Sequence, residues 1–161
     1  MDTIKIRAVT LEDNPELAQV LRDVLVEMGV PKIGTAYADI ALDVMYETYS
    51  QSRKAYFVVE DAGKVIGGAG IAPLEDGDLN TCELQKMYFL AEARGKGIGL
   101  KMMNKCLDFA REQAFTRCYL ETMPYMEAAR KLYHKVGFKP LDSPMGNTGH
   151  HSCQEWMIKK L

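Results

Sequence analysis

Residues Glu92 to Gly99 read EARGKGIG, an arginine followed by Gly95, Gly97 and Gly99, set between the apolar run LQKMYFL and a long amphipathic run. A helix N-terminus leaves backbone N–H groups without partners and carries partial positive charge, so a glycine turn leading from strand to helix is a ready site for a phosphate. The spacing narrows whose phosphate. A dinucleotide loop, G-x-G-x-x-G, starting at Gly95 and Gly97 would need glycine where Leu100 stands. A nucleoside-triphosphate loop needs G-x-x-x-x-G-K-[ST], and neither Lys64 nor Lys96 is followed by serine or threonine. Upstream, Glu83 in TCELQK places a carboxylate on an expected central strand, which is unfavourable unless the group is paired or faces a wet cleft. Lys86 and Lys101 are its candidate partners if the role is structural. His150, His151 and Cys153 in GHHSCQEW lack the spacing of a zinc site, and no second ligand pair exists, so no metal is expected. Cys153 and Cys118 are conceivable nucleophiles, without a visible histidine and carboxylate arrangement to activate them.

These residues need elements to position them. TIKIRAV alternates as a half-buried strand, and NPELAQVLRDVLVEMG carries Leu17, Val20, Leu21, Val24 and Met28 at helical spacing, with Asn14 as cap, Pro15 in the first turn and Gly29 at the stop. YADIALDVMYETYSQ repeats the helical period through Ile40, Leu42, Val44 and Met45. AYFVVEDAGKVIGGAGIAPL reads as two strands with a tight turn at Asp61, Ala62 and Gly63, and TCELQKMYFL as a third. After the glycine loop, Ile98, Met102, Met103, Cys106, Leu107, Phe109 and Ala110 form an apolar helical stripe. RCYLETM is a strand, MEAARKLYHKVGF a helix ended by Gly137, and the tail a strand, an irregular loop and a closing strand. The resulting order predicts a mixed, mostly antiparallel α/β sheet with helices on both faces, not a regular doubly wound fold.

The composition sets outer limits. A chain of 161 residues, 47% of them apolar, suits one domain over 1–161. Its net charge of −2 and pI near 5.9 offer no broad basic face for nucleic acid, so a small ligand is the expected partner. No segment reads as a signal peptide or membrane span, which makes a cytoplasmic location the expectation, and the scattered Cys82, Cys106, Cys118 and Cys153 read as reduced thiols.

Arg94-x-x-Gly97-x-Gly99, behind the strand LQKMYFL and ahead of a long amphipathic helix, resembles the pyrophosphate loop of the GNAT superfamily of acetyl-CoA-dependent N-acetyltransferases. The element order from Thr3 to Leu161 is similar to that family's. The resemblance implies that acetyl-CoA is the co-substrate, its pyrophosphate held by backbone N–H groups from Arg94 through Gly95, Lys96, Gly97 and Ile98 to Gly99. It implies that the strand end at Met87, Tyr88 and Phe89 pairs with the pantetheine arm and supplies a backbone N–H to the thioester carbonyl. Tyr133, ahead of the Gly137-Phe138 pair, matches the tyrosine many members use as general acid, although it also lies on the apolar stripe of its own helix. Glu83 matches a glutamate that several members use as base, directly or through water. Relatives often carry proline where this chain has Ala91 and asparagine where it has Met126. The implied reaction is direct attack of a primary amine on the thioester in a ternary complex, with a small or amino-acid-like acceptor. A CoA-binding sensor and an acetyltransferase acting on a protein lysine or N-terminus are the alternatives. Members often dimerise, and a homodimer is compatible with the chain.

Overall fold

A computed structural model of the protein describes residues 3–161. Seven strands form a sheet in the order β1-β2-β3-β4-β5-β7-β6: β1 (Ile4–Ala8), β2 (Ala55–Asp61), β3 (Lys64–Pro73), β4 (Thr81–Phe89), β5 (Arg117–Thr122), β6 (Lys139–Leu141) and β7 (Glu155–Lys160). Every pairing is antiparallel except β4 with β5. The sheet is therefore mixed and mostly antiparallel, as the order of sequence patterns predicts.

Both faces of the sheet are covered, which explains why its central strands read as continuous apolar runs rather than clean alternation. In β2, Phe57 and Val59 join the core beneath α3 (Ile98–Glu112) and α4 (Glu127–Lys135). Tyr56 and Val58 point the other way, into the core beneath α1 (Asn14–Glu27). The hairpin between β2 and β3 turns at Ala62 and Gly63, both at positive φ, the two-residue geometry that matches strand twist.

Two local expectations are corrected. Asn14 is the first helical residue rather than the cap, and its side chain ties α1 to the following segment, donating to Glu47 Oε1 (2.7 Å) and accepting from the Tyr46 N–H (2.9 Å). The helix expected across Tyr37 to Gln51 is instead two 3-10 turns, Ala36–Ala38 and Ile40–Asp43, and one short helix, α2 (Met45–Thr48). Asp39 and Val44 leave helical geometry. Leu42, Met45 and Tyr49 still bury themselves, but Ile40 is 83% exposed, and Asp39 reaches across the fold to His150 and Lys86. Tertiary ion pairing outweighs a weak helical preference here.

Candidate active site

The parallel pairing of β4 with β5 spans only Thr81 to Glu83 against Arg117 to Tyr119. Beyond Glu83 the two strands diverge, β4 staying with β3 while β5 stays with β7. A cleft of about 540 Å³ opens in this wedge. Its floor includes Met87, Tyr88 and Phe89, its mouth Arg94, Gly95, Gly97 and Gly99, and its far wall Tyr133 and Leu132 of α4.

The mouth is built by the glycines. Gly95 (φ 74°) and Gly97 (φ 73°) lie in left-handed backbone, where a side chain would be strained. The Arg94 N–H is used by the Ala91 carbonyl, so the free donors begin one residue later. None of the amides from Gly95 through Leu100 has a partner among the described residues, and Gly95, Gly97, Ile98 and Gly99 line the cleft at the N-terminus of α3. The Arg94 guanidinium acts as a strut rather than a free cation. It donates to the Phe89 carbonyl (2.8 Å) and pairs with Glu27 at the end of α1, fixing the loop against strand and helix.

β4 carries a bulge. Gly68 faces Tyr88 and Gly70 faces Gln85, so Ala69 opposes both Lys86 and Met87, and Lys86 takes φ 50°. The Tyr56 hydroxyl donates to the Lys86 carbonyl (2.7 Å) and holds it there. Gly68 makes room for that ring: a Cβ at this position would lie 2.4 Å from Tyr56 Cε1. Past the bulge the Leu90 N–H goes to Ile66 (2.8 Å), and strand alternation then directs the N–H of Phe89 into the wedge.

Glu83 sits at the apex of the wedge, 5% exposed, and accepts from Gln85 Nε2 (2.6 Å), which is itself oriented by the Tyr49 hydroxyl (2.5 Å). Burial pushes its pKa up to about 7, with the Gln85 hydrogen bond opposing and the nearby Glu121 charge assisting. Glu83 lines a second pocket of about 40 Å³ adjoining the cleft, and Lys86, Tyr88, Glu121 and Met126 line both cavities. Tyr133 is buried with its ring edge-on to Phe138 (5.9 Å between centroids). Burial raises its pKa and keeps the phenol protonated. The glycine loop, Met87 to Phe89 and Tyr133 thus share one cleft, with Glu83 in the adjoining pocket. The cysteines are free; burial raises the pKa of Cys153 to about 12, unfavourable for a thiolate nucleophile.

The sequence reading did not single out Glu121, Tyr56 or the bulge. Glu121 accepts from the Tyr119 hydroxyl (2.7 Å) and from Thr148. Its one visible signal was another carboxylate on a buried strand, RCYLETM.

A model of the acetyltransferase (GNAT) family matches residues 19–138. The chain belongs to the GNAT acetyltransferase family. This GNAT enzyme is 46% identical over 156 residues to the uncharacterized N-acetyltransferase YjgM of Escherichia coli (strain K12), covering 96% of this chain and 93% of that protein. It is 33% identical over 112 residues to human N-acetyltransferase 8B, covering 65% of this chain and 49% of the human one. Its fold is shared by a GNAT acetyltransferase from Staphylococcus aureus Mu50, with a TM-score of 0.86, 21% identity and 98% of both chains covered. A putative acetyltransferase from Salmonella typhimurium, solved with its cofactor acetyl-CoA, aligns with a TM-score of 0.78 at 20% identity, over 99% of this chain and 94% of that one.

Proposed function

We propose that this GNAT N-acetyltransferase takes its acetyl group from acetyl-CoA bound in the wedge between β4 and β5 and passes it to a primary amine of a small molecule. The observation that carries the reading is the wedge itself, with unpaired amides at its mouth and a buried carboxylate at its apex. The amides from Gly95 to Leu100 bind the pyrophosphate, and the helix end supplies complementary charge. The thioester lies beside β4, where the Phe89 N–H is directed toward its carbonyl oxygen.

The amine nitrogen attacks the thioester carbon, the carbon–sulfur bond breaks, and the departing sulfur takes the Tyr133 phenolic proton. Glu83 takes the proton lost by the amine. A carboxylate with a pKa near 7 is suited to this at neutral pH, since it is ionised often enough to accept and basic enough to hold a proton. Much of the rate enhancement comes from holding both reactants in one orientation.

A small acceptor is favoured by the modest size of the second pocket, about 40 Å³. Beside it, the Ser152 N–H donates to Gly34 O (3.0 Å), the Ser152 hydroxyl to Ile33 O (2.9 Å), and His150 bonds Asp39 (2.8 Å), tying the loop before β7 to the segment after α1. The test is acetyl transfer from acetyl-CoA to a panel of amines, amino acids and lysine peptides, read by product mass, with Tyr133→Phe beside the wild type. A small-molecule product that the variant forms far more slowly supports the reading. Acetylation of peptides alone would overturn the acceptor class.

A further inference from the structure

The chemistry assigned to Glu83 and Tyr133 leaves a buried cation without a role. The Lys86 side chain is 7% exposed and lines both the cleft and the smaller pocket. In a regular strand Glu83 and Lys86, three positions apart, would point to opposite faces. The bulge and the positive φ at Lys86 re-aim its side chain, so that both line the same pocket.

An ammonium carries three donors. The nearest carboxylate oxygen to Lys86 Nζ is Asp39 Oδ2 at 3.6 Å, too long for a hydrogen bond, and the Tyr49 ring lies 5.9 Å away. That same Asp39 oxygen already bonds His150 Nε2 at 2.8 Å. Burial disfavours the charged imidazole, but the Asp39 hydrogen bond and charge outweigh it and raise the His150 pKa. Lys86 and His150 therefore converge on one carboxylate, which reaches in between two short 3-10 turns rather than from a regular element. Facing them are the buried carboxylates of Glu83 and Glu121. Lys86 and His150 thus stand among three carboxylates, Asp39, Glu83 and Glu121, and of the two it is Lys86 whose donors make no hydrogen bond among the described residues. A molecule with an amine and a carboxylate close together meets Glu83 with the one and Lys86 with the other.

We infer that the acceptor is an α-amino acid or a close analogue with a free carboxylate, and that Lys86 is the specificity-determining clamp for that carboxylate. This rests on the acetyl-transfer reading above. The acceptor carboxylate takes the Lys86 donors that Asp39 leaves unused, and the amine beside it is brought to Glu83. If Lys86 were only a structural partner of Asp39, its loss would weaken folding and slow every acceptor alike.

The experiment compares, with acetyl-CoA as donor, each of the common amino acids with its own carboxamide, and adds spermidine and a lysine peptide as acceptors without an α-amino acid. Wild type, Lys86→Met and Lys86→Arg are run together. The expected result is that a free amino acid is acetylated with kcat/KM roughly ten- to a hundredfold above its carboxamide, the range of one charge-assisted hydrogen bond. Lys86→Met should remove that preference, lowering kcat/KM for the free acid about ten- to a hundredfold more than for its carboxamide, with folding checked separately by thermal unfolding, and Lys86→Arg should restore part of the preference. Equal use of acid and carboxamide by the wild type overturns the inference, as does acetylation of no free amino acid. A calorimetric titration with acetyl-CoA separates the two failures: binding without amino-acid turnover sinks the clamp alone, and absence of binding sinks the acetyl-transfer reading.

Discussion

Replacing Glu83 with glutamine removes one ionisable group and almost no volume, and the buried surroundings of Glu83 set what should follow. Burial moves this carboxyl from an ordinary 4.5 to about 7, which corresponds to about 3 kcal/mol for holding it ionised in the folded protein. The sign follows from linkage. The group's folded pKa is raised, so its stability contribution is fully present below about pH 4.5 and is lost as pH rises to about 7. The glutamine variant lacks that loss. Relative to wild type it should gain stability between pH 4.5 and pH 8, approaching about 3 kcal/mol, in denaturant unfolding at the two pH values. Activity should move in the opposite sense. Wild-type kcat/KM should climb about tenfold per pH unit below a bend near pH 7, and the variant should lose that bend together with roughly 10²- to 10⁴-fold of its rate. The amine of the acceptor contributes its own ionisation to both profiles, so the comparison between proteins isolates Glu83. A glutamine variant with the wild-type rate and the same bend near pH 7 would refute the base assignment, whatever its stability.

Tyr133→Phe should lower kcat by roughly 10²-fold or more while leaving the acetyl-CoA dissociation constant unchanged, a split read by steady-state kinetics beside calorimetry. Gly97→Glu should abolish acetyl-CoA binding: the space around its Cβ is open, but φ is 73° and a carboxylate would face the pyrophosphate. Tyr56→Phe deprives the Lys86 carbonyl of its 2.7 Å donor, and about 1–3 kcal/mol of stability should be lost in urea unfolding, with a fall in kcat as the bulge loosens.

The glycine loop was legible because phosphate binding demands an unusual composition at one place, and the strand and helix around it follow simple periodicities. The meander of β2, β3 and β4 could be anticipated, since consecutive strands joined by short turns pair with each other, whereas the parallel pairing of β4 with β5 and the placing of β7 between β5 and β6 depend on contacts distant in sequence. The segment from Tyr37 to Gln51 misled because its apolar spacing fits a helix, whereas Asp39 is drawn to His150 and Lys86, more than forty residues away in sequence. The bulge left no readable mark. Lys86 carries positive φ although lysine does not favour it, and what holds it there is a tyrosine on β2, two strands away, and a glycine on the intervening β3 that admits the ring. Glu83 stood out as a carboxylate on a buried strand, but its proximity to Glu121, Lys86 and His150 arises only when β4, β5 and the loop before β7 meet.

The most direct test of the account is amide-resolved NMR of the ¹⁵N-labelled protein titrated with acetyl-CoA. Binding in the wedge predicts that Gly95, Lys96, Gly97, Ile98, Gly99 and Leu100 shift most, together with Phe89 of β4, and that Gly97→Glu shows no such response. Saturable binding that leaves the loop amides unmoved and shifts residues elsewhere would contradict it.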